Sequence, residues 1–586
     1  MWQICFWMSV VSVAVAVAIS VFIDNTRFFE NYKYNLLKWL FGGVFVAVCF
    51  LNFPISIPEN GSMIEGIFLS PLNSIDVFKG GCDYGSIVES MTASLGNVFW
   101  YKAWVLVLLA SGPVLAVGVI ATLFINISAY LRCITVRSRD LYVFSEINGK
   151  SLSLASDIKK KRKKAVIVFT NALKSKDEKE KELLTSTKKL GAICFKSNIA
   201  NTRFKHHSCD SQIFFFAIGA DESENLNQSI KVIEKYKYRK NTNVYVFSTS
   251  AESELLLTSV DKGEIKLRRI NESKALINRV LYEHGQQIFD NAIEGDDGLR
   301  HISAVVVGMG SRGTEMMKAL SWFCQMDGYT VRINAFDRDE LAEERFSALA
   351  PDLMSDKYRG INVPGEAQYD ICIHSGVDVE TKSFADKISN IKDATYVIVS
   401  LGSDDLNIKT SVNLRMYFER INIRPVIQAV VSDFRKSEAL QNIENFKKQK
   451  YNIEFIGNVK TSFTEDVIVD SELEADALRV HLKWGIEEEF WKYEYNYQSS
   501  VASAIHMKAR VACGIPGADK KEEDLTARER DIIGPLEHRR WNAYMRAEGY
   551  IYSEKRNDLA KTHSDLKEFV SLSEEKKLLD SKVGTK

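Results

Sequence analysis

The chain has 586 residues, 46% of them hydrophobic and 26% charged, with 76 Lys+Arg matched by 76 Asp+Glu. That length predicts roughly three or four domains, and a core large enough to need no disulfide or metal staple. Zero formal charge argues against a nucleic-acid partner held by bulk phosphate attraction. The average hides an asymmetry: nearly all the charges follow residue 131, and the stretch before it is mostly apolar. The sequence reads as a soluble body fused to a membrane anchor.

Residues 1–132 contain three stretches, about 1–23, 36–57 and 99–131. Each matches the roughly 20 apolar residues that cross about 30 Å of hydrocarbon. Pro113 removes a backbone donor from the third and predicts a kink there. A cleaved signal peptide is the alternative for the first, although Met1-Trp-Gln-Ile-Cys5 lacks the positive start such peptides carry. A buried core helix is the alternative for any of them. Orientation follows from the basic residues near the ends. Arg27, Lys33 and Lys38 lie between the first two stretches, and Arg132, Arg137, Arg139 and the Lys159 to Lys164 cluster follow the third. The connection from Pro58 to Val98 holds only Lys79. These signs place the body in the cytoplasm of a multi-pass protein of the cell inner membrane, with membrane lipid as a partner. The nine cysteines and nine histidines show no metal-ligand spacing, so no metal is expected. Cys82 stands alone in the outer connection, with no disulfide partner there.

From Leu141, short apolar runs alternate with charged amphipathic stretches, the signature of βαβ units and a parallel sheet. One series covers 133–290 and a second 298–470, and the two read as copies. In each, a buried strand ends at Gly219 or Gly402 and acidic residues follow. A Leu-Asn pair, Leu226-Asn227 or Leu406-Asn407, then opens a helix. The expected class is α/β: N-terminal transmembrane helices, two tandem Rossmann-like doubly wound parallel-sheet domains, and a mostly helical domain over 471–586.

The second copy carries Gly308-Met-Gly310-Ser311-Arg312-Gly313 between a predicted strand and a predicted helix. Gly308 permits a tight turn, Gly310 lets backbone approach a pyrophosphate, and Gly313 lets helix and strand pack closely. Asp337 ends the next predicted strand, where a carboxylate would bind an adenine-ribose hydroxyl, and Arg338 beside it would favour a 2′-phosphate. A turn that keeps the fold and binds nothing is the alternative. In the first copy the same turn reads Glu146-Ile-Asn148-Gly149-Lys150-Ser151, without the glycines and with a carboxylate that would repel phosphate. That copy reads as structural. On Gly308, Gly310, Gly313, Asp337 and the Gly402-Ser-Asp404-Asp405-Leu-Asn407 turn, the region resembles tandem TrkA-N-type domains, the regulator-of-potassium-conductance family. The resemblance implies a nucleotide or NAD-type ligand at these turns, Gly402 and Asp405 included, and assembly as a homo-oligomeric ring beneath a membrane pore.

Past residue 470 the strand pattern gives way to aromatic-rich helices. Glu537, Trp541 and Tyr544 fall on one helical face with Arg540 beside them. Tyr550, Lys561 and His563 follow. An aromatic next to cations suits stacking a base while the cations hold its phosphates; a buried helical core is the plainer alternative. The order of the Trp541 helix, Gly549-Tyr550 and the Lys561/His563 segment is similar to ryanodine-receptor-type repeat domains of bacteria. That resemblance implies a nucleotide-type ligand at Glu537, Arg540, Trp541, Tyr544, Tyr550, Lys561 and His563, and a setting in antiviral defence. Tyr550 stands where the family usually has Trp.

No Ser/His/Asp, Cys/His or phosphotransfer arrangement is evident, so no enzyme is expected. The leading expectation is a membrane-anchored sensor of NAD or another adenine nucleotide, acting as a ligand-gated ion channel or membrane effector. A non-conducting sensor docked on a separate transporter is the alternative, and an NAD-dependent enzyme the second. No Thr-Val-Gly-Tyr-Gly filter precedes the third stretch, so potassium selectivity is not implied. Ser111, Thr122, Asn126 and Ser128 are the polar residues a pore through that stretch would use.

Overall fold

A computed structural model describes residues 1–25, 36–58, 61–81, 83–171, 178–204, 207–355, 369–440, 444 and 447–585. Arg27, Lys33, Cys82 and His206 lie outside these residues, as do the side chains of Lys38, Thr122, Asn126 and Ser128. The chain divides into two units, one of Met1–Arg137 with Ile193–His207 and one of Ser138–Ala192 with Ser208–Lys586.

The first unit is helical: Trp2–Asn25, Leu36–Asn52, Met63–Phe78, Tyr84–Leu95 and Phe99–Thr135. Two of these, within Trp2–Ile19 and Phe99–Val117, are long and apolar enough to cross a membrane. The second predicted stretch forms the shorter apolar helix Leu36–Asn52, which ends before Pro54. The connection from 58 to 98, expected as a loop, holds two helices. The last helix runs unbroken through Pro113. Gly43 sets how near the first two helices approach, since an added Cβ there would lie 2.2 Å from the Ala16 Cβ. Two indoles find side-chain partners: Trp2 Nε1 donates to Ser90 Oγ at 3.1 Å and Trp104 Nε1 to Ser9 Oγ at 3.0 Å.

The second unit is built on two parallel sheets. The first contains β1 (Leu141–Phe144), β2 (Val166–Phe169), β4 (Ile213–Ala217), β5 (Thr242–Phe247) and β6 (Lys266–Ile270), while the short β3 (Ile193–Cys194) belongs to the helical unit. The second holds β7 (Ile293–Glu294), antiparallel to β8 (Arg300–Val307), then β9 (Tyr329–Phe336), β10 (Tyr369–His374), β11 (Tyr396–Val399), β12 (Val426–Val430) and β13 (Ile453–Ile456). Five strands repeat one order, β2-β1-β4-β5-β6 and β9-β8-β11-β12-β13. Strands such as Leu141–Phe144 and Tyr396–Val399 are buried at every residue, which is why they read as continuous apolar runs rather than alternating ones. In each sheet the order reverses at the first strand, between β1 and β4 and between β8 and β11. A crevice opens there at the strands' C-terminal ends.

Helices Glu472–His481, Glu494–Ala512, Ala527–Ala547 and Glu574–Val583 follow, with a minimal strand pair, β14 (Ile551–Tyr552) and β15 (Thr562–His563). They do not form a separate core. One buried cluster joins Met316, Leu320 and Phe323 of helix Ser311–Phe323 to Ile505, Ile533 and Leu536, and Trp322 meets Tyr544 edge-on at 6.2 Å. The helix that starts at the Gly-rich turn is thus also the floor of the C-terminal helices.

Candidate functional site

Two cavities in the body hold most of the residues that the sequence singles out. The first, about 460 Å³, lies between the crevices of the two sheets and is lined by Gly310, Ser311, Arg312 and Gly402 from one and by Lys150, Glu222 and Glu272 from the other. In the Gly-rich turn each glycine has a different constraint. Gly308 has φ +92°, and a Cβ there would lie 2.5 Å from the Ser400 carbonyl oxygen; a Cβ at Gly313 would lie 1.8 Å from the Gly308 carbonyl oxygen. At Gly310 an added Cβ meets nothing within 4 Å. Two glycines are therefore required by packing, and the third is the one a ligand would approach. Gly313→Ala is expected to lower unfolding free energy by about 1–3 kcal/mol or to block folding, whereas Gly310→Ala should leave thermal unfolding unchanged. Melting curves of the two variants check both.

Gly310 caps helix Ser311–Phe323 without a side chain, leaving the first backbone donors of that helix toward the cavity. The matching cap in the first sheet is Asn148. Its side chain accepts from Ser151 N, and Ser151 Oγ accepts from Asn148 N, both at 2.9 Å. Counting from these caps, Glu146 stands in the place of Gly308, Lys150 in that of Arg312 and Ser151 in that of Gly313. The Glu146 carboxylate accepts from Ala220 N at 3.2 Å, so this turn is satisfied by its own side chains. Lys150 pairs with Glu272 at 2.6 Å.

The structure shifts the register between the copies. Asn225 accepts from Gly219 N at 2.7 Å and donates to Phe247 O at 3.0 Å; Asn407 accepts from Leu401 N at 2.5 Å and donates to Val430 O at 2.7 Å. Asn225, not Asn227, is therefore the counterpart of Asn407, and Gly219 matches Leu401 rather than Gly402. Glu222 and Asp404 are also counterparts. Each carboxylate accepts two backbone N–H groups of the neighbouring strand's exit, Thr249 and Ser250 in one case and Ser432 and Asp433 in the other.

Asp337 lies outside this cavity's lining. Its carboxylate accepts from Met309 N at 2.5 Å and from Asp339 N at 2.8 Å, tying the Gly-rich turn to the end of β9. Arg338 is exposed, and Asp405 pairs with Lys436 at 2.6 Å on the surface.

The second cavity, about 550 Å³, is lined by the C-terminal helices and opens to the surface. Glu537, Arg540, Trp541, Tyr550 and His563 line it, joined by Trp484, Tyr493, Tyr495, Arg556 and Lys576, which the sequence reading missed. Tyr544 and Lys561 are not in its wall. Tyr544 faces the helix Ser311–Phe323 junction, 2% exposed, and the Lys561 ammonium donates to the Glu548 carbonyl at 2.8 Å. Tyr544 lies two turns, about 10 Å, beyond Glu537 on the same stripe, which carries it past the cavity to Trp322.

At the base of this cavity Glu537 accepts from two arginines. Arg540 donates to it through Nε at 3.1 Å and Nη2 at 2.7 Å, and Arg510 through Nη2. Burial opposes the Glu537 charge, but Arg540 and Arg510 outweigh it and bring the carboxyl down to about 2. Arg510 is held further by His506 Nδ1 at 2.7 Å and Gly584 O at 2.8 Å; burial and the arginines push His506 far below its ordinary value, keeping it neutral. Two guanidinium groups face one carboxylate here, and Asp580, also in the cavity wall, pairs with His538 at 3.0 Å. Arg540, 1% exposed, has an Nη1 that no protein group accepts from. Around it stand Trp541, with His563 edge-on at 5.0 Å, and Tyr495 near Tyr550 at 6.2 Å. Burial and Arg556 depress His563, so it too is neutral at pH 7.

The cavities are joined by helix Glu272–His284. Ser273 Oγ lies 3.1 Å from Ser311 Oγ, and Lys274 Nζ pairs at 2.8 Å with Glu548, the C-cap of the helix carrying Arg540 and Trp541. Burial opposes the charge on Glu548, and Lys274 and Lys318 nonetheless hold it at about 2. Glu537 and Glu548 both lie below their ordinary 4.5 in the folded chain. The stability they contribute is thus complete above about pH 4.5 and is lost as pH falls toward 2. Near-ultraviolet circular dichroism during acid titration should show C-terminal packing lost in that window. Among the described residues no group of His, Cys, Asp and Glu is placed to hold a metal ion. No family model matches this chain, and no curated protein matches it.

Proposed function

We propose that this protein is a membrane-anchored sensor that captures a nucleotide-type ligand, NAD or another adenine nucleotide, and relays the capture to its apolar helices as a ligand-gated channel or membrane effector. In this reading the two sheets are Rossmann-like, TrkA-N-type domains, the first with a degenerate site. The helices from residue 471 form a ryanodine-receptor-type domain. The body lies in the cytoplasm beneath the cell inner membrane, and the chain works as a homo-oligomer. A part in antiviral defence rests on the family resemblance alone.

Arg540 carries the ligand reading: a guanidinium 1% exposed, with an unpartnered Nη1, beside Trp541 on the wall of a cavity of about 550 Å³. A buried unpaired donor costs about 1–3 kcal/mol. A phosphate oxygen supplies the missing acceptor, and the aromatic walls stack a base. The uncapped helix at Gly310 with Arg312 supports a second anionic subsite between the sheets. The Ser273–Ser311 and Lys274–Glu548 contacts link the two. A ligand moves a gate only by its differential affinity for the two arrangements.

Isothermal titration of the full chain in lipid nanodiscs with NAD, ATP and ADP tests the capture. Saturable binding of one of them is the expected result, and no binding of any adenine nucleotide overturns it. Ion flux from liposomes tests the output. Leakage only with the bound nucleotide supports a channel; a tight bilayer under every ligand supports a regulatory subunit docked on another transporter.

A further inference from the structure

The connection between the second and third apolar stretches folds into two helices of opposite polarity. Helix Tyr84–Leu95 buries Ile87 and Met91 and turns Ser86, Glu89 and Ser94 outward, the usual pattern of a helix that faces water. Helix Met63–Phe78 reverses it. Its inward residues are Gly66, Ser70, Ser74 and Val77. Asn52 Nδ2 donates to Ser74 Oγ at 3.0 Å, Ser70 Oγ to Cys49 O at 2.5 Å, and Asn73 Nδ2 to Ser56 Oγ at 2.9 Å. Its outward residues are Ile64, Ile67, Phe68, Leu72 and Ile75, with Phe68 71% exposed.

A hydrogen-bonded interior of small residues under a large apolar exterior is unfavourable in water, by about 25 cal/mol for each Å² of apolar surface left wet. In a bilayer the same arrangement is favourable, because small and polar residues hold neighbouring helices together while large apolar ones meet acyl chains. Charge is confined to the helix ends, with Glu65 in the first turn and Asp76 paired to Lys79 at the last. Gly66 lets the helix seat closely, since an added Cβ would lie 2.7 Å from Ile57 Cγ1. Val107, Val114 and Val117 of the long helix in the same unit present the same exposed apolar chemistry.

We infer that helix Met63–Phe78 is embedded in lipid and that its outward face is a docking surface for acyl chains, while helix Tyr84–Leu95 stays in water. Its 16 residues extend roughly 24 Å, short of the roughly 30 Å hydrocarbon core. It is therefore too short to cross the bilayer, and its inner side is held by protein. The inference rests on the membrane-anchored reading of the chain.

The test uses the full-length protein in phosphatidylcholine/phosphatidylglycerol vesicles that carry a photoreactive diazirine on the acyl chain, with adducts mapped by peptide mass spectrometry. Adducts are expected within Met63–Phe78 as well as within Phe99–Val117, and none within Tyr84–Leu95. Adducts on the Phe99 helix but not on Met63–Phe78 would overturn the inference. So would chain-to-chain crosslinks from a benzoyl group placed at Phe68 in place of lipid adducts, because a second copy would then cover the face. Protein that does not float with the vesicles at all would remove the anchoring reading as well, an outcome distinct from flotation without adducts.

Discussion

Replacing Glu537 by Gln is expected to destabilise the C-terminal helices by about 3–5 kcal/mol, the range for removing one partner of a buried ion pair. The side chain keeps its size and loses its charge, leaving Arg510 and Arg540 buried at 0% and 1% exposure beside each other. Arg540 then has neither Glu537 nor an acceptor for Nη1. Denaturant unfolding followed by tryptophan fluorescence reads the effect, since Trp484 and Trp541 line the same cavity. Glu419→Gln is the control. Its partner Arg424 is 77% exposed, and the change should stay within about 0.5 kcal/mol. A loss below about 1 kcal/mol for Glu537→Gln would mean that the arginines find other acceptors or that water enters.

The second result separates the sequence's candidate binding residues from one another. Trp541→Ala should weaken nucleotide binding by about 1–3 kcal/mol, the usual worth of one base stacked on an aromatic, or roughly five- to 150-fold. Lys561→Ala should leave affinity unchanged, because that ammonium is spent on the Glu548 carbonyl and lies outside the cavity wall. Tyr544→Phe should also leave it unchanged, because the ring packs toward Trp322. Titration of the three variants in nanodiscs decides among them. Equal weakening by Trp541→Ala and Lys561→Ala would place the ligand elsewhere in the C-terminal region.

Much of the α/β body was legible because its signals are local. Buried strands such as Ile213–Ala217 announce themselves as uninterrupted apolar runs, and Gly308 and Gly313 stand where backbone approaches backbone. The pairing of the copies was misread by one to two positions at Gly219 and Asn225. There the visible Leu-Asn dipeptide competed with a hydrogen-bond role that has no local signature. The helices at Met63–Phe78 and Tyr84–Leu95 are not legible in the sequence, because their faces are resolved only when a neighbour is present.

Order along the chain, the apolar N-terminal region, alternating strands and helices, and the residue types able to meet a phosphate and a base all follow from composition and period, which depend on near neighbours. Which side chains share a cavity does not. Lys150 and Glu272 face Gly310 because two sheets are set crevice to crevice, and Glu537 meets Arg510, 27 residues earlier, because helix Glu494–Ala512 packs beside its own helix. Facing and pairing of this kind come from packing between distant segments, and periodicity within a segment carries no record of it.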